Sequence, residues 1–350
     1  MIKKSLILAS LAMLFASCAN QDNGIILLEK SDFEEEINGK TNTLYTISNE
    51  SGMTAQITNY GAMVVSLWVP AADGKFKDVI WGLSDIDSYL NAGDIYAGPI
   101  IGRYGNRIGK GRFSIDGTEY QLALNENGNQ LHGGPNGFGS QVWDGREFID
   151  EAGNQAVEMT YFSKDGEEGY PGNLTVKVIY SITEDNGFKI EYEAVTDKAT
   201  IVNPTSHIYF NLHGTTAQST DSHILTIDAD YFTPTDAQLI PTGELASVEG
   251  TPMDFRKGAA IGDGMELYDY EAIKLGNGYD HNWVLNKKSE YGKAAEVYEA
   301  STGICMEIIT DQPHLLSLSP EKVLRRITVS KVWERLRRLG TIAAASLYNL

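Results

Sequence analysis

From about residue 41 to 310 the chain alternates between apolar and polar positions with a period of two. In Phe188-Lys189-Ile190-Glu191-Tyr192-Glu193-Ala194 every second side chain is apolar and the others are charged. That spacing sends one set to a core and the other to water only in an extended strand. Met63 to Val69 and Thr175 to Tyr180 are rich in β-branched and aromatic residues and predict further strands. Asp73-Gly74, Asp116-Gly117, Asn127-Gly128, Asp165-Gly166 and Asn186-Gly187 fall between such runs, as hairpin turns require. No sustained helical stripe, no repeat of about 20–50 residues and no Pro- or Ser-rich linker divides this body. The pattern predicts one large all-β domain of antiparallel sheets, a sandwich or a barrel.

Both ends depart from the pattern. Lys3 and Lys4 precede the apolar run Ser5 to Ala16, and Phe15-Ala16-Ser17-Cys18 closes on small residues before a cysteine. This has the form of a lipoprotein signal over residues 1–17, with Cys18 as the lipidated mature N-terminus. It predicts an exported, membrane-anchored protein of the periplasm or outer membrane of a Gram-negative bacterium. Residues 18–40 are polar and acidic, with the run Glu34-Glu35-Glu36, and read as a tether to the first strand. At the other end, residues 315–350 carry seven Lys and Arg against two Glu, whereas the rest of the chain has 21 basic and 45 acidic residues. Leu324, Ile327, Val332, Leu336 and Leu339 recur there at roughly helical spacing.

Composition narrows the function. A formal net charge of −19 would repel a phosphate backbone, which argues against nucleic acid and against an anionic membrane surface as partners. A neutral small molecule is indifferent to that field. Beyond Cys18 the only cysteine is Cys305, in the apolar run Gly303-Ile304-Cys305-Met306, so the exported body has no internal disulfide. Cys305 reads as a buried strand residue.

The candidate chemistry centres on Asn203-Pro204-Thr205-Ser206-His207-Ile208-Tyr209-Phe210-Asn211-Leu212. Strand alternation places His207, Tyr209 and Asn211 on one face and Ile208, Phe210 and Leu212 on the core face. His207 is suited to proton transfer by an ordinary pKa of about 6.5. Leu131-His132-Gly133-Gly134-Pro135 offers a second histidine where glycines allow close backbone approach to a ligand. Gly102-Arg103-Tyr104-Gly105-Asn106-Arg107-Ile108 gathers planar donors suited to vicinal hydroxyls. Gly278-Tyr279-Asp280-His281-Asn282-Trp283 sets a carboxylate among aromatics, a composition fit for a carbohydrate. His207 and His213 are six residues apart with no Cys cluster, so no metal is expected. Neither a nucleophile elbow nor a phosphate-cradling loop is written.

These motifs resemble those of the aldose 1-epimerases, or galactose mutarotases, although that family more often has Asn where this chain has Ser206. The likeness runs from about residue 41 to His314. It implies a large antiparallel β-sandwich, the galactose mutarotase-like supersandwich, with the sugar in a cleft on one sheet face. It implies interconversion of the α and β anomers of galactose or glucose without metal or cofactor. By the same resemblance His207 is the acid and His132 holds the ring oxygen or a neighbouring hydroxyl. Asn106, Arg107, Tyr209 and Asp280 contact the sugar. The family's catalytic base, a glutamate in a Leu-Glu-Thr-Gln-His-type motif, belongs after residue 314 and is not written here. Loss of resemblance, reversal of charge and change of periodicity coincide there. Residues 315–350 therefore read as an aberrant basic tail, an out-of-frame translation of the family's C-terminus rather than a native helical extension. The alternative function is a catalytically impaired sugar binder that lacks the base.

Overall fold

The computed structural model describes residues 24–93, 96–214, 218–286 and 291–316, with two further extended segments at 327–328 and 337–338. Four antiparallel sheets carry most of it. Leu44–Ser48, Thr54–Thr58, Met63–Pro70 and Phe76–Asp78 form a meander, and Asp144–Ile149, Gln155–Ser163, Leu174–Ile182 and Phe188–Thr196 form a second. Ile224–Ile227, Gly292–Glu299 and Ile304–Thr310 are the main strands of a third, and Ala229–Thr233, Asn282–Leu285 and His314–Leu316 those of a fourth. The helices are short, the longest described being Ile86–Asn91 and Glu271–Gly276. The expected all-β sandwich is what folds.

The period-two pattern explains why these residues are strands. In Phe188–Thr196 the side chains of Phe188, Ile190, Tyr192 and Ala194 are buried, while Lys189, Glu191 and Glu193 keep part of their surface in water. The tight turns fall where expected, with Asp116, Asn127 and Asn186 in the left-handed conformation that Asx-Gly turns use. All four sheets feed one apolar cluster, from Ile57 and Val64 through Val178 and Ile190 to Val297 and Trp283. Tyr180 ties the second meander to the first by donating its hydroxyl to the Ala62 carbonyl at 2.7 Å.

Three expectations meet the structure differently. Part of the stretch read as a tether is folded: Glu35–Ile37 pairs with Lys40–Asn42, and Phe33 is fully buried beside Tyr89. An aromatic side chain hidden in the polar run is the reason. Cys305 is exposed, because it falls on the water-facing half of the alternation in Ile304–Thr310. In the basic tail, Ile327–Thr328 and Arg337–Arg338 are extended, the first antiparallel to Tyr209–Phe210 and the second parallel to Glu193–Ala194. The signal segment and Cys18 lie outside the described residues, as does most of the tail.

Candidate active site

The site is assembled around one irregular ribbon, residues 98–108. On one side Thr205–Ser206 pairs antiparallel with Ile100–Ile101, and the register is extended by His207 N–H donating to the Pro99 carbonyl at 2.9 Å. On the other side Arg107–Ile108 pairs with Gln130–Leu131, extended by His132 N–H donating to the Asn106 carbonyl at 3.0 Å. Two histidines 75 residues apart in sequence thus flank the same strip of backbone. Their rings meet edge to face, with centroids 5.0 Å apart.

The predicted alternation places the neighbours. Ile208, Phe210 and Leu212 enter the main core, and Tyr209 turns to the opposite side, its ring 5.1 Å from that of His207 and 6.2 Å from that of Trp81. Tyr209 is only 5 % exposed, so it lies behind His207 as a support. Asn211, on the same side, donates its amide to the Gln218 carbonyl.

Backbone geometry at the site is costly. Asn106 and His132 both adopt positive φ, at 65° and 55°, a region sparsely populated by residues other than glycine. Gly133 follows at φ 90°, and a Cβ there would meet the Gly102 carbonyl oxygen at 1.7 Å. Only glycine permits that approach, and through it the His132 loop is pressed onto the 98–108 ribbon. The Asn106 N–H donates to Nδ1 of His132 at 3.1 Å, which fixes the tautomer: in the neutral ring Nε2 carries the proton.

Electrostatics keep both rings neutral. Burial holds His132 well below the usual histidine range, and the neighbouring His207 and Arg107 push the same way. Burial brings His207 down to about 4, against a lesser opposing influence from the backbone of His207 and Tyr96. Nδ1 of His207 is buried and has no hydrogen-bond partner among the described residues. The enclosed setting disfavours the imidazolium and places His207 below the ordinary histidine value near 6.5.

The two arginines of the same motif divide their labour. Arg103 is 2 % exposed, and its guanidinium donates to Ser163, Pro171, Thr200, Lys164 and Gly172 oxygens, all of them neutral, at 2.9–3.3 Å. It holds the fold and is sealed from any ligand. Arg107, with a side chain 11 % exposed, donates through Nε and Nη2 to the Glu126 carboxylate at 3.2 and 3.4 Å. Asp280 is carried on a different sheet, at the mouth of Asn282–Leu285, and its N–H donates to Nδ1 of His281. His281 is 1 % exposed against Phe232, a packing neighbour.

The sequence reading did not single out Tyr96 or Glu126. The Tyr96 ring packs 4.6 Å from that of His132 and 5.7 Å from that of His207, with its own backbone at φ 47°. Glu126 precedes an Asn-Gly turn and had the look of turn polarity. Only the pairing of Arg107–Ile108 with Gln130–Leu131 reveals that this turn returns to Arg107.

The two histidines named for this site flank one ribbon, which itself carries the amide and the guanidinium. The sequence profile of the family described as aldose 1-epimerase matches residues 43–331. The chain belongs to the aldose 1-epimerase family. Human galactose mutarotase is 40% identical over 262 residues, 75% of this chain and 72% of its own length. The aldose 1-epimerase of Escherichia coli K12 is 36% identical over 278 residues, 79% of this chain and 78% of its own. The crystal structure of galactose 1-epimerase from Lactobacillus acidophilus NCFM superimposes with a TM-score of 0.69 at 29% identity, covering 85% of this chain and 87% of that one. Aldose 1-epimerases are isomerases, and the chain is a homologue of them.

Proposed function

We propose that the chain interconverts the anomers of a free hexose, galactose or glucose, by acid/base opening and closure of the hemiacetal ring. The observation that carries this reading is the contact of His132 and His207 beside Asn106 and Arg107 on one ribbon. Ring opening requires a proton delivered to the ring oxygen and one removed from the anomeric hydroxyl. Rotation of the resulting carbonyl and closure with the roles exchanged gives the other anomer. His207, protonated when it acts, can deliver a proton to the ring oxygen and take one back at closure, while the proton of the anomeric hydroxyl needs a separate base, which the family resemblance places after residue 314. His132, its Nε2 protonated, is a donor for the ring oxygen or an adjacent hydroxyl, and Arg107 and Asn106 suit vicinal hydroxyls. Asp280 is assigned to a further hydroxyl.

The written sequence favours a second reading alongside the first. No Leu-Glu-Thr-Gln-His-type motif follows His314, and a missing general base removes about a hundred- to ten-thousand-fold of rate. On that reading the chain binds the sugar and exchanges its anomers slowly. In either case residues 1–18 support an exported protein held to a membrane by lipid on Cys18. Polarimetry of freshly dissolved α-D-galactose and α-D-glucose with residues 19–350 tests the proposal, beside a His207→Ala control and buffer. Acceleration lost in the control supports the epimerase. A buffer-like rate together with saturable sugar binding selects the impaired binder, and absence of both overturns the proposal.

A further inference from the structure

A second cluster of proton-transferring side chains lies outside the epimerase site. His213 follows the segment that carries His207, Ser222 closes the single helical turn Thr220–Ser222, and Glu299 ends the strand Gly292–Glu299. The Ser222 Oγ is 3.3 Å from Nε2 of His213, and Nδ1 of the same ring is 3.4 Å from Oε1 of Glu299. Exposure falls inward along this chain: Ser222 is exposed, while the His213 and Glu299 side chains are 8 % and 3 % exposed.

Hydrogen bonds around the cluster fix its polarity. The Ser301 Oγ also lies 3.4 Å from Nδ1 of His213, but its proton is given to Oε2 of Glu299 at 2.8 Å, so towards His213 it can only accept. Nδ1 therefore carries the ring proton, and Nε2 presents a bare lone pair to the serine hydroxyl. The Glu299 carboxylate also accepts from Ser301 N–H, Thr302 N–H and the Thr302 hydroxyl. Burial pushes its pKa up, yet those donors outweigh it and hold Glu299 at about 2. The adjacent His223 ring, 4.8 Å from His213, accepts the Leu212 N–H at Nε2 and is kept neutral by burial. It brings no competing positive charge.

We propose that Ser222, His213 and Glu299 form a nucleophilic serine site that takes small activated acyl or phosphonyl groups. A serine with a histidine base that is itself oriented by a buried carboxylate is the arrangement that activates a hydroxyl, and contacts near 3.3 Å are common before a ligand tightens them. With an activated ester, the Ser222 Oγ forms a bond to the acyl carbon and passes its proton to Nε2 of His213. The bond from that carbon to the leaving oxygen breaks, and the proton goes on to the leaving alkoxide. Glu299 stabilises the imidazolium between the two transfers. With an alkyl fluorophosphonate the Oγ–P bond forms, the P–F bond breaks and fluoride leaves with the proton.

The test uses the chain of residues 19–350 and an alkyl fluorophosphonate, with the adduct located by peptide mass mapping. An adduct on Ser222, absent from Ser222→Ala and formed at least about a hundredfold more slowly in His213→Asn, is expected. If His213→Asn does not fold, the same drop is expected for the wild-type chain unfolded in guanidinium, where the relay no longer exists. No adduct on Ser222 of the folded chain overturns the proposal, as does an adduct that forms equally fast in the folded His213→Asn variant or in the unfolded chain. Neither result depends on anomer exchange, so failure here leaves the epimerase reading untouched.

Discussion

Two pairs of histidines share almost one geometry and face opposite chemistry. His132 and His207 meet edge to face at 5.0 Å and 82°, His213 and His223 at 4.8 Å and 84°. The first pair lies beside a cation, Arg107, which with burial and His207 lowers the pKa of His132. The second lies beside an anion, Glu299, held at about 2 by four donors from Ser301 and Thr302. Ring contact alone therefore does not define a site. A neutral pair next to a guanidinium suits a neutral polyol, whose protons are moved without lasting charge, whereas a histidine against a carboxylate suits a step in which an imidazolium forms and decays.

The widest separation between the pairs is expected from His207→Ala. It should reduce polarimetric acceleration by about a hundred- to ten-thousand-fold while leaving fluorophosphonate labelling of Ser222 at its wild-type rate. A variant that loses both, with its fold intact by near-UV circular dichroism, would show that the pairs act as one unit. Next in size is His132→Leu, which removes one N–H donor at a developing charge. A fall of about a hundredfold in the catalysed rate is expected, with sugar binding measured by calorimetry retained. A loss of binding without loss of the maximal rate would move His132 from proton chemistry to substrate holding.

The first pair was legible in the sequence because its evidence is local. Period-two spacing alone separates Tyr209 and Asn211 from Ile208, Phe210 and Leu212, and the Gly-Gly after His132 announces a tight approach. The second pair was not legible, since its function is assembled from residues 213, 222, 299 and 301, which no spacing rule connects. The same limit hid Glu126 and Tyr96, and it obscured that Arg103 would be consumed by the fold while Arg107 stayed near the surface. A sequence gives residue type and strand face. Which loops return to the same place, and how far enclosure shifts a pKa, are properties of the closed sandwich.

A smaller effect tests the packing role of the second pair. His223→Leu leaves the buried Leu212 N–H without its acceptor and should destabilise the chain by about 1–3 kcal/mol, measured by urea unfolding. The anomer-exchange rate of the remaining folded protein should not change. A rate that falls with stability would mean that the Leu212 segment transmits strain back to His207, five residues away.

The most gradual effect is that of pH, and here both pairs act together. Burial places His207, His223 and His281 at about 4, below the ordinary value near 6.5, so between those limits the unfolded chain binds more protons than the folded one. Their stabilising influence is therefore complete above about pH 6.5 and is lost progressively as the pH falls towards 4. Asp78 works against this trend, since burial raises it to about 6 despite the Leu67 and Ile80 N–H donors, so it favours the folded state more as the pH falls. Glu299, held at about 2, keeps its full stabilising influence above about pH 5 and loses it as the pH falls from there towards 2, so it adds to the decline only at the acid end of this window. With several histidines set against one aspartate, the melting temperature should decline from pH 7 to pH 4, most steeply below 6. A melting temperature that stays level through that window would mean that burial does not hold these rings below the ordinary histidine value in the folded chain.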